Sequence, residues 1–181
     1  WGNMIAATPS GGWLQSSPTI PGLGFCLNSR AQIFWLTPGL PTSLEPGKRP
    51  RSTMAPTLVF KGNAPGDLVM ATGSPGGGAI IQYVLKTVVG ALDWGLDAQQ
   101  ATSLVNFGAA NSPTTGVDGS NTTLDLTALV NDLKAKGHTV SSNAQSSGVA
   151  TIMRVTKDGR AQLQGGADPR REGIVLGDGS L

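Results

Sequence analysis

The feature that most constrains this chain is a run of glycines lying between two different hydrophobic periods. Leu68-Val69-Met70-Ala71-Thr72 is a nearly continuous apolar run of strand length, and Gly73-Ser74-Pro75-Gly76-Gly77-Gly78 follows it. Ile80, Ile81, Val84, Leu85, Val88, Val89 and Leu92 then recur at helical spacing. A buried strand therefore passes through a glycine loop straight into an amphipathic helix. Glycines let backbone amides come close to a bound atom, and the first amides of a helix face negative charge. The loop is either an anion or oxyanion cradle or a plain tight turn. A nucleotide-binding P-loop needs Lys followed by Ser or Thr after its last glycine, and Ala79-Ile80 stands there instead.

Around this unit the pattern predicts further elements. A short helix covers residues 97–105, with Asp97 capping its first amides, and another covers residues 124–136, with Leu126, Leu129, Val130 and Leu133 on one face and Gly137 as its stop. Residues 148–156 alternate as a strand, Lys157-Asp158-Gly159-Arg160 carries the Asp-Gly turn signal, and residues 161–165 return antiparallel. Residues 2–8 read as a buried strand, and from there to about Pro56 the chain reads as loops without a helix signature. Hairpin strands with helices able to pack on a sheet face define an α+β class, here in a single domain over residues 1–181.

Composition narrows the function. An apolar content of 39% is enough for a buried core. The 13 basic and 11 acidic residues are dispersed, with no basic run that could follow a phosphate backbone, so nucleic acid is not an expected partner. A charged content of only 13% fits either a surface partly covered by another polypeptide or one rich in Ser, Thr and Asn. Cys26 is alone and reads as a small buried hydrophobe, so neither a disulfide framework nor a Cys-based metal cluster is expected. No apolar run reaches the roughly 20 residues of a bilayer span. No signal-peptide pattern opens the chain, and a start at Trp1 reads as a processed or trimmed product.

Several polar groups are candidates for chemistry. Lys48-Arg49-Pro50-Arg51-Ser52-Thr53 concentrates cations and hydroxyls, as either a carboxylate clamp or a solvated basic loop. Asp168-Pro169-Arg170-Arg171-Glu172 reads as an internal ion-pair cluster or turn, and His138 reads as exposed, with no second His to build a metal site. Trp1, Trp13, Trp35 and Trp94 read as core or subunit-contact aromatics.

Taken in order, Gly2-Asn3, Lys48-Arg49-Pro50 with Ser52-Thr53-Met54-Ala55-Pro56-Thr57, Gly73-Ser74-Pro75-Gly76-Gly77 and Asp168-Pro169-Arg170 resemble the landmarks of the γ-glutamyltransferase small subunit, over nearly the whole chain. The resemblance implies an N-terminal-nucleophile hydrolase fold, an αββα sandwich of which this chain is the small-subunit part, matured by self-cleavage from a precursor that also supplies a large subunit. It implies a nucleophilic Thr whose own α-amine accepts the proton, about nine residues upstream of Trp1. It assigns Gly76 and Gly77 as oxyanion-hole glycines, Ser10 as the hydroxyl supporting the nucleophile, and Ser52 and Thr53 as the hydroxyls that hold the donor's α-carboxylate. It implies no metal, no organic cofactor, and a periplasmic or extracellular setting.

The first third departs from that family pattern. Ile33 stands where the family has an acidic residue that pairs with the donor's α-ammonium, Arg30 replaces a Gln or Glu, and Gly12 stands where an Asn is usual. This part resembles an acylase-like branch. The expected activity is acyl transfer or hydrolysis of γ-glutamyl or glutaryl-like amides through an acyl-Thr intermediate, with Arg30 and Ile33 beside the donor. The alternative is a non-catalytic member serving as a binding or structural subunit.

Overall fold

The computed structural model describes residues 2–11, 17–109 and 112–177. They divide into two compact units, one formed by residues 2–8 with 54–109 and 112–177 and the other by residues 9–11 with 17–53.

The larger unit is built on a four-stranded antiparallel sheet. Its strands are β1 (Thr57–Phe60), β2 (Leu68–Gly73), β6 (Ala150–Lys157) and β7 (Arg160–Ala167), in the spatial order β1-β2-β6-β7. The β6–β7 hairpin closes through Asp158 (φ 51°) and Gly159 (φ 75°), the paired left-handed geometry that an Asp-Gly dipeptide favours. Val59, Met70 and Met153 stand abreast across three strands, and with Ala91, Ala98 and Ala101 they form the hydrophobic core. Those alanines come from helices α1 (Ile80–Leu92) and α2 (Ala98–Ser103), which cover that face. The opposite face carries Leu58 and Ile152 on either side of Ala71, 44% and 45% exposed. A second sheet joins β3 (Phe107–Gly108), β4 (Thr114–Val117) and β5 (Thr139–Ser142), with β4 and β5 parallel and α3 (Thr127–Ala135) in the connection between them.

The strand, loop and helix around the glycines stand as the sequence indicates, and α2 has the expected cap. The Asp97 carboxylate accepts the Gln100 amide while the Gln100 side chain accepts the Asp97 amide. The predicted α1 stripe is only partly right. Ile80, Tyr83, Val84, Lys86, Thr87, Gly90 and Ala91 are buried, whereas Ile81 and Leu85 are 62% and 59% exposed. The helix is apolar around most of its circumference, so periodicity alone could not choose the face; the sheet did. Helix α3 begins at Thr127, later than predicted: its N-cap position is Leu126, which offers no side-chain cap, and the Asp125 carboxylate accepts the Thr127 amide in a local turn just before the helix. None of the helix residues is buried.

The expected strand at residues 2–8 is absent. No residue of that segment is buried, and Ile5 is 84% exposed, because no described strand lies beside it to complete a ladder. Trp35 and Trp94 are 47% and 58% exposed and belong to no core, while Trp1 and Trp13 lie outside the described residues. Cys26 is half-buried, with the Thr19 hydroxyl 3.7 Å from its sulfur. His138 is exposed as expected, its Nδ1 3.0 Å from the Thr115 hydroxyl.

The smaller unit consists of loops, as the Pro- and Gly-rich sequence predicts, except for a 3-10 turn at Arg30–Ile33. Buried Ser43 knits one loop together, donating to the Thr37 carbonyl and accepting the Leu40 amide. Among the described residues of both units, no helix is long and apolar enough to cross a membrane.

Candidate active site

The glycine loop starts where β2 ends. Ser74 is buried, and its hydroxyl donates to the Pro75 carbonyl at 2.6 Å while accepting the Gly148 amide at 3.2 Å. Gly76 has φ 139°, and a Cβ there would lie 2.5 Å from the buried Tyr83 ring, so only glycine fits both the backbone and the space. Gly77 (φ 60°) opens a 3-10 turn, Gly77–Ala79, that feeds α1. The Gly76 carbonyl accepts the Ala79 amide at 3.2 Å. Among the described residues no acceptor meets the amides of Gly76 or Gly77. Two adjacent donors at the N-terminal end of a 13-residue helix are suited to an oxyanion.

Behind the loop lies a buried ionic cluster. Arg170 donates through Nη1 to Asp168 at 3.0 Å and through Nη2 to the Leu104 carbonyl at 2.8 Å. Its Nε is 3.4 Å from an Asp118 oxygen, an ion pair without hydrogen-bond alignment. Asp168 also accepts the Ser147 hydroxyl, the Val149 amide at 3.2 Å and the Arg170 amide at 3.0 Å. Burial alone pushes the Asp168 carboxyl up, but these hydrogen bonds and the Arg170 charge outweigh it and hold its pKa below the ordinary carboxylate value. Lys86 donates to the same Leu104 carbonyl. Burial, with Arg170 nearby, lowers the Lys86 pKa to about 7. Burial and Asp118 raise that of Tyr83.

The ion-pair reading of residues 168–172 is therefore correct for Asp168 and Arg170, while Asp118 and Lys86 were missed. Lys86 had a signal: it is the one charge in the α1 sequence, three residues after Tyr83 on the stripe that turns out to be buried. Asp118 follows the short strand β4, and nothing local distinguishes it from a surface turn residue.

The remaining candidates lie in the smaller unit. Ser10 and Ser52 are exposed, and Thr53 is half-buried. Arg30 and Ile33, both half-buried, begin and end the 3-10 turn, with the Arg30 amide donating to Asn28 at 3.1 Å. The Arg51 guanidinium sits 5.1 Å from the centre of the Trp35 ring, and Lys48 pairs with Glu45 at 3.0 Å. Gly12 lies outside the described residues. Gly76 and Gly77 thus belong to the larger unit, and Ser10, Arg30, Ile33, Ser52 and Thr53 to the smaller. Among the described residues no group of three or more His, Cys, Asp and Glu side chains could hold a metal ion.

Helices on one face of an antiparallel sheet, with a glycine loop leading from strand to helix, make this an α+β protein of the N-terminal-nucleophile hydrolase class. More narrowly, the chain belongs to the gamma-glutamyltranspeptidase family, whose sequence profile matches residues 1–178. It is 33% identical over 180 residues to the glutathione hydrolase proenzyme of Escherichia coli strain K12, which covers 93% of this chain and 30% of that protein. It is 28% identical over 179 residues to the acylase ACY 1 proenzyme of Pseudomonas sp. strain SE83, covering 97% of this chain and 30% of that one. The crystal structure of a Helicobacter pylori gamma-glutamyltranspeptidase mutant superposes with a TM-score of 0.79 at 26% identity, covering 94% of this chain and 95% of the crystallised one. The chain therefore spans less than a third of the length of these two curated relatives.

Proposed function

We propose that this chain is the small subunit of an amide-cleaving acyl-transfer enzyme that acts on γ-glutamyl or glutaryl-like amides. The observation that carries the reading is the glycine loop, where Gly76 and Gly77, just before α1 in a chain of this family, present two amides that no acceptor meets among the described residues. In the proposed cycle the hydroxyl of a Thr upstream of Trp1 attacks the amide carbon and its α-amine takes the proton. The oxyanion rests on the two glycine amides, the leaving amine departs with a proton, and water or an acceptor amine then releases the acyl group. Ser52 and Thr53 hold the donor's terminal carboxylate, Arg30 lies beside the donor, and Ser10 supports the nucleophile. The open sheet face bearing Leu58 and Ile152 suits a large subunit cut from the same precursor. No metal or organic cofactor takes part.

Ile33 decides between donors. A buried ammonium beside it would lack a partner, whereas a glutaryl chain, which keeps the terminal carboxylate and lacks the amine, would meet ordinary apolar contact. The test compares kcat/KM for a glutaryl and a γ-glutamyl anilide in the complete protein and in Ile33→Asp. The expected result is a glutaryl preference that moves toward γ-glutamyl by about tenfold or more in the variant, equivalent to ~1.4 kcal/mol. A strong γ-glutamyl preference unaffected by Ile33→Asp would show that another group binds the ammonium. A mature protein that turns over neither anilide would leave the non-catalytic subunit as the better reading.

A further inference from the structure

The amide of Gly76 and the carbonyl of Pro75 belong to the same peptide unit. A trans peptide points its N–H and its C=O in opposite directions, and no described peptide bond is cis. Whatever fixes the Pro75 carbonyl therefore aims the Gly76 N–H. The Ser74 hydroxyl does this, donating to that carbonyl at 2.6 Å. The same hydroxyl accepts the Gly148 amide at 3.2 Å, so it is anchored to the chain just before β6. Gly148 is itself confined, since a Cβ there would lie 2.5 Å from Arg171 Cδ and 2.8 Å from Pro75 Cγ. On either side of Gly148, the Ser147 hydroxyl and the Val149 amide both donate to Asp168.

We infer that Ser74 is a positioning residue for the oxyanion hole: its buried hydroxyl locks the Pro75–Gly76 peptide plane so that the Gly76 amide faces the developing negative charge. The inference rests on the assignment of the Gly76 and Gly77 amides proposed above. Gly76 needs such a lock. Lacking a Cβ, it has φ open on both sides of zero, and rotation of this peptide would replace the amide donor with a carbonyl oxygen that repels the oxyanion. The hydrogen bond to the carbonyl also polarises the peptide unit and makes its N–H a stronger donor. Asp168 acts further back by fixing the 147–149 segment to which Ser74 is tied.

The experiment uses the complete, matured protein. Ser74→Ala is expected to lower kcat by about 10- to 100-fold, short of the loss of a whole oxyanion donor, while KM changes by less than about twofold. Binding of a boronate analogue of the donor, whose tetrahedral adduct places an oxygen where the oxyanion would lie, weakens in proportion to kcat. Binding of glutarate, which only fills the carboxylate site, stays the same. Ser74→Thr keeps the hydroxyl and restores most of kcat. Unchanged kcat in Ser74→Ala, or parallel losses of kcat and glutarate affinity, would overturn the inference. If Ser74→Ala fails to mature, Ser74→Thr decides: maturation with turnover supports the lock, and failure of both variants makes Ser74 a packing residue. An unmodified protein with neither turnover nor boronate binding would instead remove the oxyanion assignment itself.

Discussion

The two units of this chain hold themselves together by opposite means. In the larger, the apolar core of Met70, Met153 and the helix alanines is backed by a buried set of charges in which Arg170 answers two carboxylates and a carbonyl. In the smaller, no α-helix or strand is described, and Leu23, Phe25, Leu36 and Leu44 are all more than half exposed. Its cohesion rests on loop hydrogen bonds, such as those of Ser43, and on the Arg51–Trp35 stack. Single buried contacts should therefore matter greatly in the first unit and little in the second.

The sharpest test of that contrast is Asp168→Ala. It leaves Arg170 with one carboxylate and strands the Val149 amide and the Ser147 hydroxyl, so a loss of about 3–5 kcal/mol is expected in denaturant unfolding of the complete protein. Because the folded pKa of Asp168 is depressed, its contribution is complete above the unfolded carboxylate value and fades as pH falls through the folded one. A loss below 1 kcal/mol would place the unit's stability elsewhere.

Next in size is Gly76→Ala, where the new methyl meets Tyr83 at a φ that side chains rarely adopt. A drop of roughly 100-fold or more in kcat of the matured enzyme is expected, since the loop must move to admit the methyl and takes an oxyanion donor with it. Gly77→Ala, which meets only open space but has φ 60°, should cost less.

Lys86 gives a pH-dependent readout. Its pKa falls from 10.5 unfolded to about 7 folded, so between those values the unfolded chain holds more protons and stability rises with pH. Lys86→Met should remove a slope of up to about 1.4 kcal/mol per pH unit between pH 7.5 and 10, measured by thermal or urea unfolding. An identical slope in wild type and variant would mean that Lys86 reaches solvent.

The smallest effect is expected in the smaller unit. Arg51→Ala removes a solvent-exposed cation–π pair, a loss of about 0.5–1 kcal/mol or less. A loss as large as that of Asp168→Ala would erase the distinction between the units.

Much of the fold was legible because its signals are local. The glycine run fixed the strand, loop and helix order, Asp97 marked the start of α2, and Asp158-Gly159 closed the β6–β7 hairpin, each through a conformational preference that acts within a few residues. The site glycines were legible for the same reason, since a Cβ-free backbone is written directly into the sequence. What lay beyond it was every choice that depends on a distant partner. Residues 2–8 have the composition of a strand, yet none of the described strands pairs with them. Helix α1 offers apolar atoms on nearly all sides, and only packing against the sheet selected the face with Tyr83, Lys86 and Thr87 over the one with Ile81 and Leu85. Ser74 reads as an ordinary loop residue until the tertiary fold brings Gly148 to its hydroxyl from 74 residues away. Asp118, Lys86 and Arg170 are likewise far apart in sequence, and only the folded chain, by removing water from around them, makes one cluster of them.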